Sequence, residues 1–270
     1  MTQDSARFTI AGALGLGEKG MVSLVGAGGK TSLIYALARE LAMVGKRVLV
    51  TTTTHMLAPL PQEASATILS PDPDEILEEL RGLSREWSPI FVASHRDGKE
   101  GKMVGFSPEG VERIWGGGFL DWVLVEADGA ARRPLKAPAS HEPVVPKSSL
   151  WVVGLVGLDA VGKLLDEAWV FRWEIYGRLL GLARGEEVTP ESVARIALHP
   201  EGLFRGTPQG ASKIFWLNKA DLPGAEAAAH RILCFVAEKG WGDIARAVIG
   251  STLSKEPVVG CYGPSRLLGG

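Results

Sequence analysis

Val25-Gly26-Ala27-Gly28-Gly29-Lys30-Thr31-Ser32 joins an apolar run, Met21 to Val25, to a helical pattern that begins near Lys30. A strand that breaks into glycines and re-emerges as a helix is the context of a phosphate-binding loop. Glycines let consecutive backbone N–H groups turn toward an anion, and the helix start adds its partial positive charge. Lys30 is then placed to reach terminal phosphates and Thr31 to hold Mg²⁺. The spacing departs from G-x-x-x-x-G-K-[ST], because the Gly wanted two residues before Gly26 is Leu24, and a shortened G-x-x-G-K-T remains. Gly26, Ala27, Gly28, Gly29, Lys30, Thr31 and Ser32 are therefore expected to cradle the phosphates of a nucleoside triphosphate, the alternative being a plain strand-to-helix turn. Lys30 is expected as an exposed loop ammonium that serves the ligand rather than the core.

Outward from this loop, apolar runs at Val22–Val25, Val48–Val50, Ile90–Val92, Trp122–Val125, Trp151–Val156 and Ile214–Leu217 are continuous rather than alternating, as strands buried on both faces are. Between most of them lie helical patterns: Leu33, Ala36, Leu37 and Leu41; Ile76, Leu77 and Leu80; and Ala227 to Val236. This alternation predicts an α/β fold, a mainly parallel sheet with helices on both faces, formed by residues 1–270 as one domain. Two stretches interrupt it. The Gly-rich Ser94 to Gly118 is expected as a small hairpin excursion. Residues 158–212 carry two helical signals, Glu174–Leu182 and a Thr189-Pro190-Glu191 start running to Leu198, and are expected as a small helical insertion.

A chain of 270 residues with 46% hydrophobic residues can bury a full core, and a net charge of −2 without a basic block implies no nucleic-acid partner. Met1 to Phe8 is polar, and no apolar segment reaches the roughly 18 residues a membrane helix needs, so a cytoplasmic protein without a membrane partner is expected. Cys234 and Cys261 lie far apart and read as reduced thiols.

Four stretches carry further chemistry. In Val123-Leu124-Val125-Glu126-Ala127-Asp128-Gly129 a strand ends in two carboxylates, and the strand period of two points Glu126 and Asp128 to the same side. A hard cation between phosphates takes one or two carboxylates plus water, so Thr31, Glu126 and Asp128 are the expected Mg²⁺ residues, with Asp128 placed to position metal or water in hydrolysis. Both carboxylates are expected to matter for turnover more than for stability. Arg132, Arg133 and Lys136, interleaved with Pro134 and Pro138, form a stiff basic loop beside them. From it Arg132 is placed to act as a cis cation in phosphoryl transfer or to hold an anionic substrate, the alternative being ordinary surface cations, and His141-Glu142-Pro143 is expected as a surface loop near the same rim. Thr51-Thr52-Thr53-Thr54-His55 brings hydroxyls and an imidazole to the end of the second strand, suited to metal or phosphate contact or simply to strand formation. Last, Asn218-Lys219-Ala220-Asp221 directly follows a buried strand. There Asp221 can accept two hydrogen bonds from guanine, Asn218 can brace the loop and the Lys219 stem can pack on the base; the alternative is an N-capping turn for a helix starting near Pro223. Ser251-Thr252-Leu253 is the candidate second base-side loop.

Together V-G-A-G-G-K-T-S, T-T-T-T-H-M, V-E-A-D-G-A with R-R-P-L-K-A-P, H-E-P-V-V-P, H-P-E-G-L and L-N-K-A-D resemble the YqeC-type accessory proteins of selenium-dependent molybdenum hydroxylases, over about Val22 to Val259. The resemblance implies a P-loop NTPase fold and a role in placing a labile selenium cofactor, with a molybdenum hydroxylase or its maturation proteins as partner. Mg²⁺-dependent hydrolysis of GTP or ATP is the activity expected, with Lys30, Asp128 and Arg132 as its catalytic residues. The short loop is also similar to the G-T-x-G-K-T of Mur ligases, which leaves an ATP-dependent ligase or kinase acting on a small anion as one alternative. A nucleotide-gated chaperone with little turnover is the other.

Overall fold

The computed structural model describes residues 9–83, 88–98 and 101–264; the polar segment Met1 to Phe8 lies outside them. After a short helix α1 (Ile10–Leu14), strand β1 (Gly20–Gly26) runs into helix α2 (Lys30–Met43), and β2 (Val48–Thr52) follows. Next come β3 (His55–Leu57), β4 (Ala66–Leu69), helix α3 (Pro73–Gly82), β5 (Ile90–Ala93), β6 (His95–Arg96), β7 (Lys102–Val104) and helix α4 (Pro108–Trp115). The middle of the chain forms β8 (Trp122–Glu126), β9 (Leu135–Lys136), β10 (Ser149–Gly157) and a 3₁₀ turn at Leu158–Ala160. It closes with β11 (Val170–Phe171), α5 (Trp173–Leu180), α6 (Pro190–Leu198), β12 (Ser212–Asn218), α7 (Ala225–Glu238), β13 (Ile244–Gly250) and β14 (Val258–Tyr262).

One sheet organises these elements, in the order β14-β13-β12-β10-β1-β8-β2-β5-β4. All its pairings are parallel except β13 with β14. This is the mainly parallel α/β architecture read from the apolar runs. Every residue of β1, β2 and β8 is buried, because helices cover both faces and leave no wet side to alternate toward. The strand period sorts their side chains between two layers. Val22, Leu24, Trp122, Leu124, Ile214 and Trp216 pack with α1 and α2. On the other face Phe215 and Leu217 pack with α5, α6 and α7, and Met21, Val123 and Val125 with α3 and α4.

Helix starts follow local chemistry. The side chains of Asp72, Ser107 and Thr189 accept backbone N–H bonds at the heads of α3, α4 and α6, each followed by proline in the first turn. Helix α7 differs, since its N-cap is Gly224 in the left-handed region and no side chain caps it. The stretch 94–118 contains the expected hairpin, β6 with β7, which pairs further with β3; it also contains α4, which the glycines around it concealed. Among the described residues no helix is long and apolar enough to cross a membrane. Cys234 is exposed, Cys261 partly buried, and both are free.

Candidate functional site

The glycine turn sits at the carboxyl edge of the sheet, at its central strand. Gly28 has φ 81°, and a Cβ there would lie 2.2 Å from the backbone N of Gly157; Gly29 has φ 125°, and its Cβ would lie 2.3 Å from Asn218 Nδ2. Only glycine fits both the conformation and the approach. The turn is pinned by Ala27 N donating to Leu155 O at 3.0 Å and Gly28 N donating to Arg133 O at 3.2 Å. The amides of Gly29, Lys30, Thr31 and Ser32 have no acceptor among the described residues, so the head of α2 presents four unpaired donors. They open on a cleft of about 660 Å³, whose wall includes Thr31, His55, Glu126, Arg132, Glu142 and Phe171.

Beneath that opening the charged side chains are buried and interlocked. Lys30 is 4% exposed rather than the exposed ammonium expected from its place in a glycine loop. Its Nζ donates to Gly26 O at 2.6 Å and lies 3.0 Å from Asp128 Oδ1. Burial opposes its charge, but Asp128 and Glu126 outweigh burial and hold the ammonium above the usual lysine range. Asp128 Oδ2 accepts from Gly26 N at 2.9 Å and pairs with Lys136 Nζ at 2.9 Å. The Lys30 contact to Oδ1 is close but poorly directed, which leaves that buried oxygen without a hydrogen bond. Glu126 accepts from Thr31 Oγ1 at 2.9 Å. Burial pushes its carboxyl up, with Lys30 and Thr31 opposing.

The structure separates the three cations of the Arg132–Lys136 loop. Lys136 is not a rim cation: it is 2% exposed within β9, donates to Gly129 O at 2.6 Å and pairs with Glu142 Oε2 at 2.8 Å. Glu142 is also held by Arg172, and Lys136 lies over the Phe171 ring. A buried chain Lys30–Asp128–Lys136–Glu142–Arg172 thus ties the phosphate-loop lysine to β11, which pairs with β9. Arg133 donates to Glu167 O at 2.5 Å. Arg132 alone is exposed to the cleft without a partner among the described residues, and it follows Ala131 in the left-handed region, with φ 60° and 46° respectively.

The remaining stretches divide. Three of the threonines at the end of β2 spend their hydroxyls on carbonyls: Thr51 on Val92 O, Thr52 on Glu126 O and Thr53 on Val144 O. They fix strand ends rather than offer oxygens to a ligand, while His55 reaches the cleft wall. Asn218 is buried; its Nδ2 donates to Gly28 O at 2.7 Å and its Oδ1 accepts from Thr252 N at 3.2 Å, joining the loops after β1, β12 and β13. Lys219, at φ 68°, turns its ammonium onto Asp159 Oδ2 at 2.6 Å. Asp221 is exposed and caps no helix. The sequence marked Lys136 only as a basic-loop cation and did not mark Arg172, since what defines both is packing against carboxylates elsewhere in the chain.

The sheet order, the glycine turn into α2 and the carboxylates behind it define an α/β protein of the P-loop NTPase-like kind. The chain belongs to the YqeC family: the family described as YqeC protein matches residues 22–174. It is 35% identical over 200 residues, covering 74% of this chain and 75% of the relative, to "Uncharacterized protein YqeC" of Escherichia coli strain K12. The family resemblance carried by the motifs is thereby confirmed.

Proposed function

We propose that this protein binds a purine nucleoside triphosphate with Mg²⁺ at the head of α2 and hydrolyses it, in support of placing a selenium cofactor in a molybdenum hydroxylase. The observation that carries the nucleotide reading is the row of four unpaired amides at Gly29–Ser32, facing a cleft and backed by Lys30. Amides and a helix head together are a complete anion site, and a buried ammonium supplies the charge a triphosphate needs. The accessory role rests on family membership and on the motif resemblance, and a cytoplasmic setting goes with it.

The donor set suits Mg²⁺ held jointly with phosphates. Among the described residues no three His, Cys, Asp or Glu side chains converge, as an all-protein cage would require. One or two carboxylates are what a phosphate-bound Mg²⁺ uses, and Glu126, which takes a hydrogen bond from Thr31, and Asp128, ion-paired to Lys30 and Lys136, stand behind the loop at the end of β8. When bound, the ion would neutralise charge developing on the phosphate oxygens. Thr31, Glu126 and Asp128 would hold it, Lys30 would exchange Asp128 for the terminal phosphates, and Arg132 would face the transferring group from across the cleft. Calorimetric titration with Mg-GTP and Mg-ATP tests the reading: saturable binding to the wild type, lost in Lys30→Ala, supports it. Equal affinity in the variant would reduce the loop to a turn.

A further inference from the structure

We infer that the part of the cleft between Arg132 and His55 is an acceptor subsite for a small oxyanion, whose oxygen receives the terminal phosphoryl group. This rests on the triphosphate reading and gives that site its second substrate, which takes the place of water as the phosphoryl acceptor when it is bound. The sidedness of the sheet is the first argument. The loops that would hold the base follow β12 and β13, on one flank of β1, and Asn218 and Thr252 from those loops meet at Gly28 and Gly29. The cleft lies on the other flank, formed by loops after β2 and β8, and neither Asn218 nor Asp221 lines it. The cleft, about 660 Å³ in all, is lined by Gly28–Ser32, where the phosphates would sit, and also by His55, Met56, Leu57, Arg132 and Phe171, which a nucleoside leaving α2 toward β12 would not cover and would leave to a second molecule.

The chemistry of the wall selects that molecule. Arg132 is the cation there without a protein partner among the described residues, and its backbone and that of Ala131 are held in the left-handed region that L-residues rarely adopt. The flanking segment is fixed by Lys136 on Gly129 O and Arg133 on Glu167 O, so the guanidinium is presented by a braced loop. Met56, Leu57 and Phe171 add apolar wall. The carboxylates near the cleft are committed on this reading: Glu142 to Lys136 and Arg172, Asp128 to Lys30 and Lys136, and Glu126, which accepts from Thr31, to Mg²⁺, so none is left as the general base an alcohol acceptor would need. An acceptor already ionised needs no base and does need a cation. Its oxygen forms the new bond to the γ-phosphorus while the bond to the β–γ bridging oxygen breaks; that electron pair leaves on the nucleoside diphosphate, and no proton moves.

The test saturates the protein with the Mg complex of an imido-linked, non-hydrolysable triphosphate, whose own affinity is measured first, and then titrates malonate and sulfate separately. Saturable binding of either anion, weakened at least about tenfold in Arg132→Ala as expected for loss of a charge-assisted contact, supports the subsite. Preference for malonate marks a carboxylate acceptor and preference for sulfate a tetrahedral one. If the analogue binds and neither anion does, or if Arg132→Ala binds the anion as the wild type does, the subsite is refuted while the triphosphate reading stands. If the analogue itself does not bind, both fall.

Discussion

Asp128 is where the residue scale departs furthest from expectation. A carboxylate at a strand end beside glycine suggests a group free to serve a ligand, yet Asp128 is 1% exposed and stands between Lys30 and Lys136. Removing it leaves two buried ammonium groups without their shared counter-ion, the costly way to break a buried pair. Asp128→Ala is therefore expected to lose about 3–5 kcal/mol of stability in urea unfolding, as well as Mg²⁺-dependent turnover. A variant as stable as the wild type would show that the ion chain is not formed in solution. Glu142 offers a pH test of the same chain. Burial opposes its charge, but Arg172 and Lys136 overcome this and pull its carboxyl from 4.5 down to about 2. Because the folded value is depressed, its contribution is complete above the unfolded carboxylate range and is lost as pH falls from about 4.5 toward about 2. Urea midpoints followed across that acid range should fall less steeply in Glu142→Gln than in the wild type; parallel slopes would remove Glu142 from the chain.

Among elements, the loop between β1 and α2 depends on backbone approach more than on side chains. Gly28→Ala would bring a Cβ to 2.2 Å from Gly157 N at φ 81°, so the turn must open. Triphosphate binding should be lost in calorimetry while far-UV circular dichroism still reports the sheet and helices. Binding at wild-type strength would mean the turn has slack that its contacts do not reveal. The same elements show what was legible in the sequence. Strands buried on both faces announce themselves as Val, Leu and Ile runs, which is why β1, β2, β5, β8, β10 and β12 were readable. Edge strand β4 offers one buried residue in four and β14 none, so neither leaves such a run. The carboxylates and the glycine turn were legible because consecutive residues carry them. The chain from Asp128 through Lys136 and Glu142 to Arg172 was not, because the two-residue pairing of β9 with β11 brings distant positions together with no periodic signal.

Across the whole molecule, the sheet order assigns directions that no single motif carries. With β10 and β12 on one side of β1 and β8 and β2 on the other, a triphosphate bound as proposed at the head of α2 would have its nucleoside end toward Asn218 and its terminal phosphate toward the cleft lined by Glu126 and Arg132. Base choice then belongs to the loop that Asn218 begins. Asn218 itself is committed to Gly28 O and Thr252 N, and Lys219 to Asp159, so both shape the loop rather than report on the base. Asp221 is exposed, has no partner among the described residues and caps nothing, which makes its substitution a clean probe. If the loop reads guanine, Asp221→Asn should weaken GTP by more than about tenfold, since a lost charged bidentate contact costs roughly 1.5–3 kcal/mol. The thermal midpoint should not move, adenine nucleotide affinity should change little, and xanthine nucleotide should bind, because its C2 carbonyl can accept from the new amide. The measurement is a competition titration of GTP, ATP and XTP against wild type and variant. Equal displacement by GTP and ATP, with no effect of the substitution, would place base selection elsewhere and leave Asp221 an ordinary surface carboxylate.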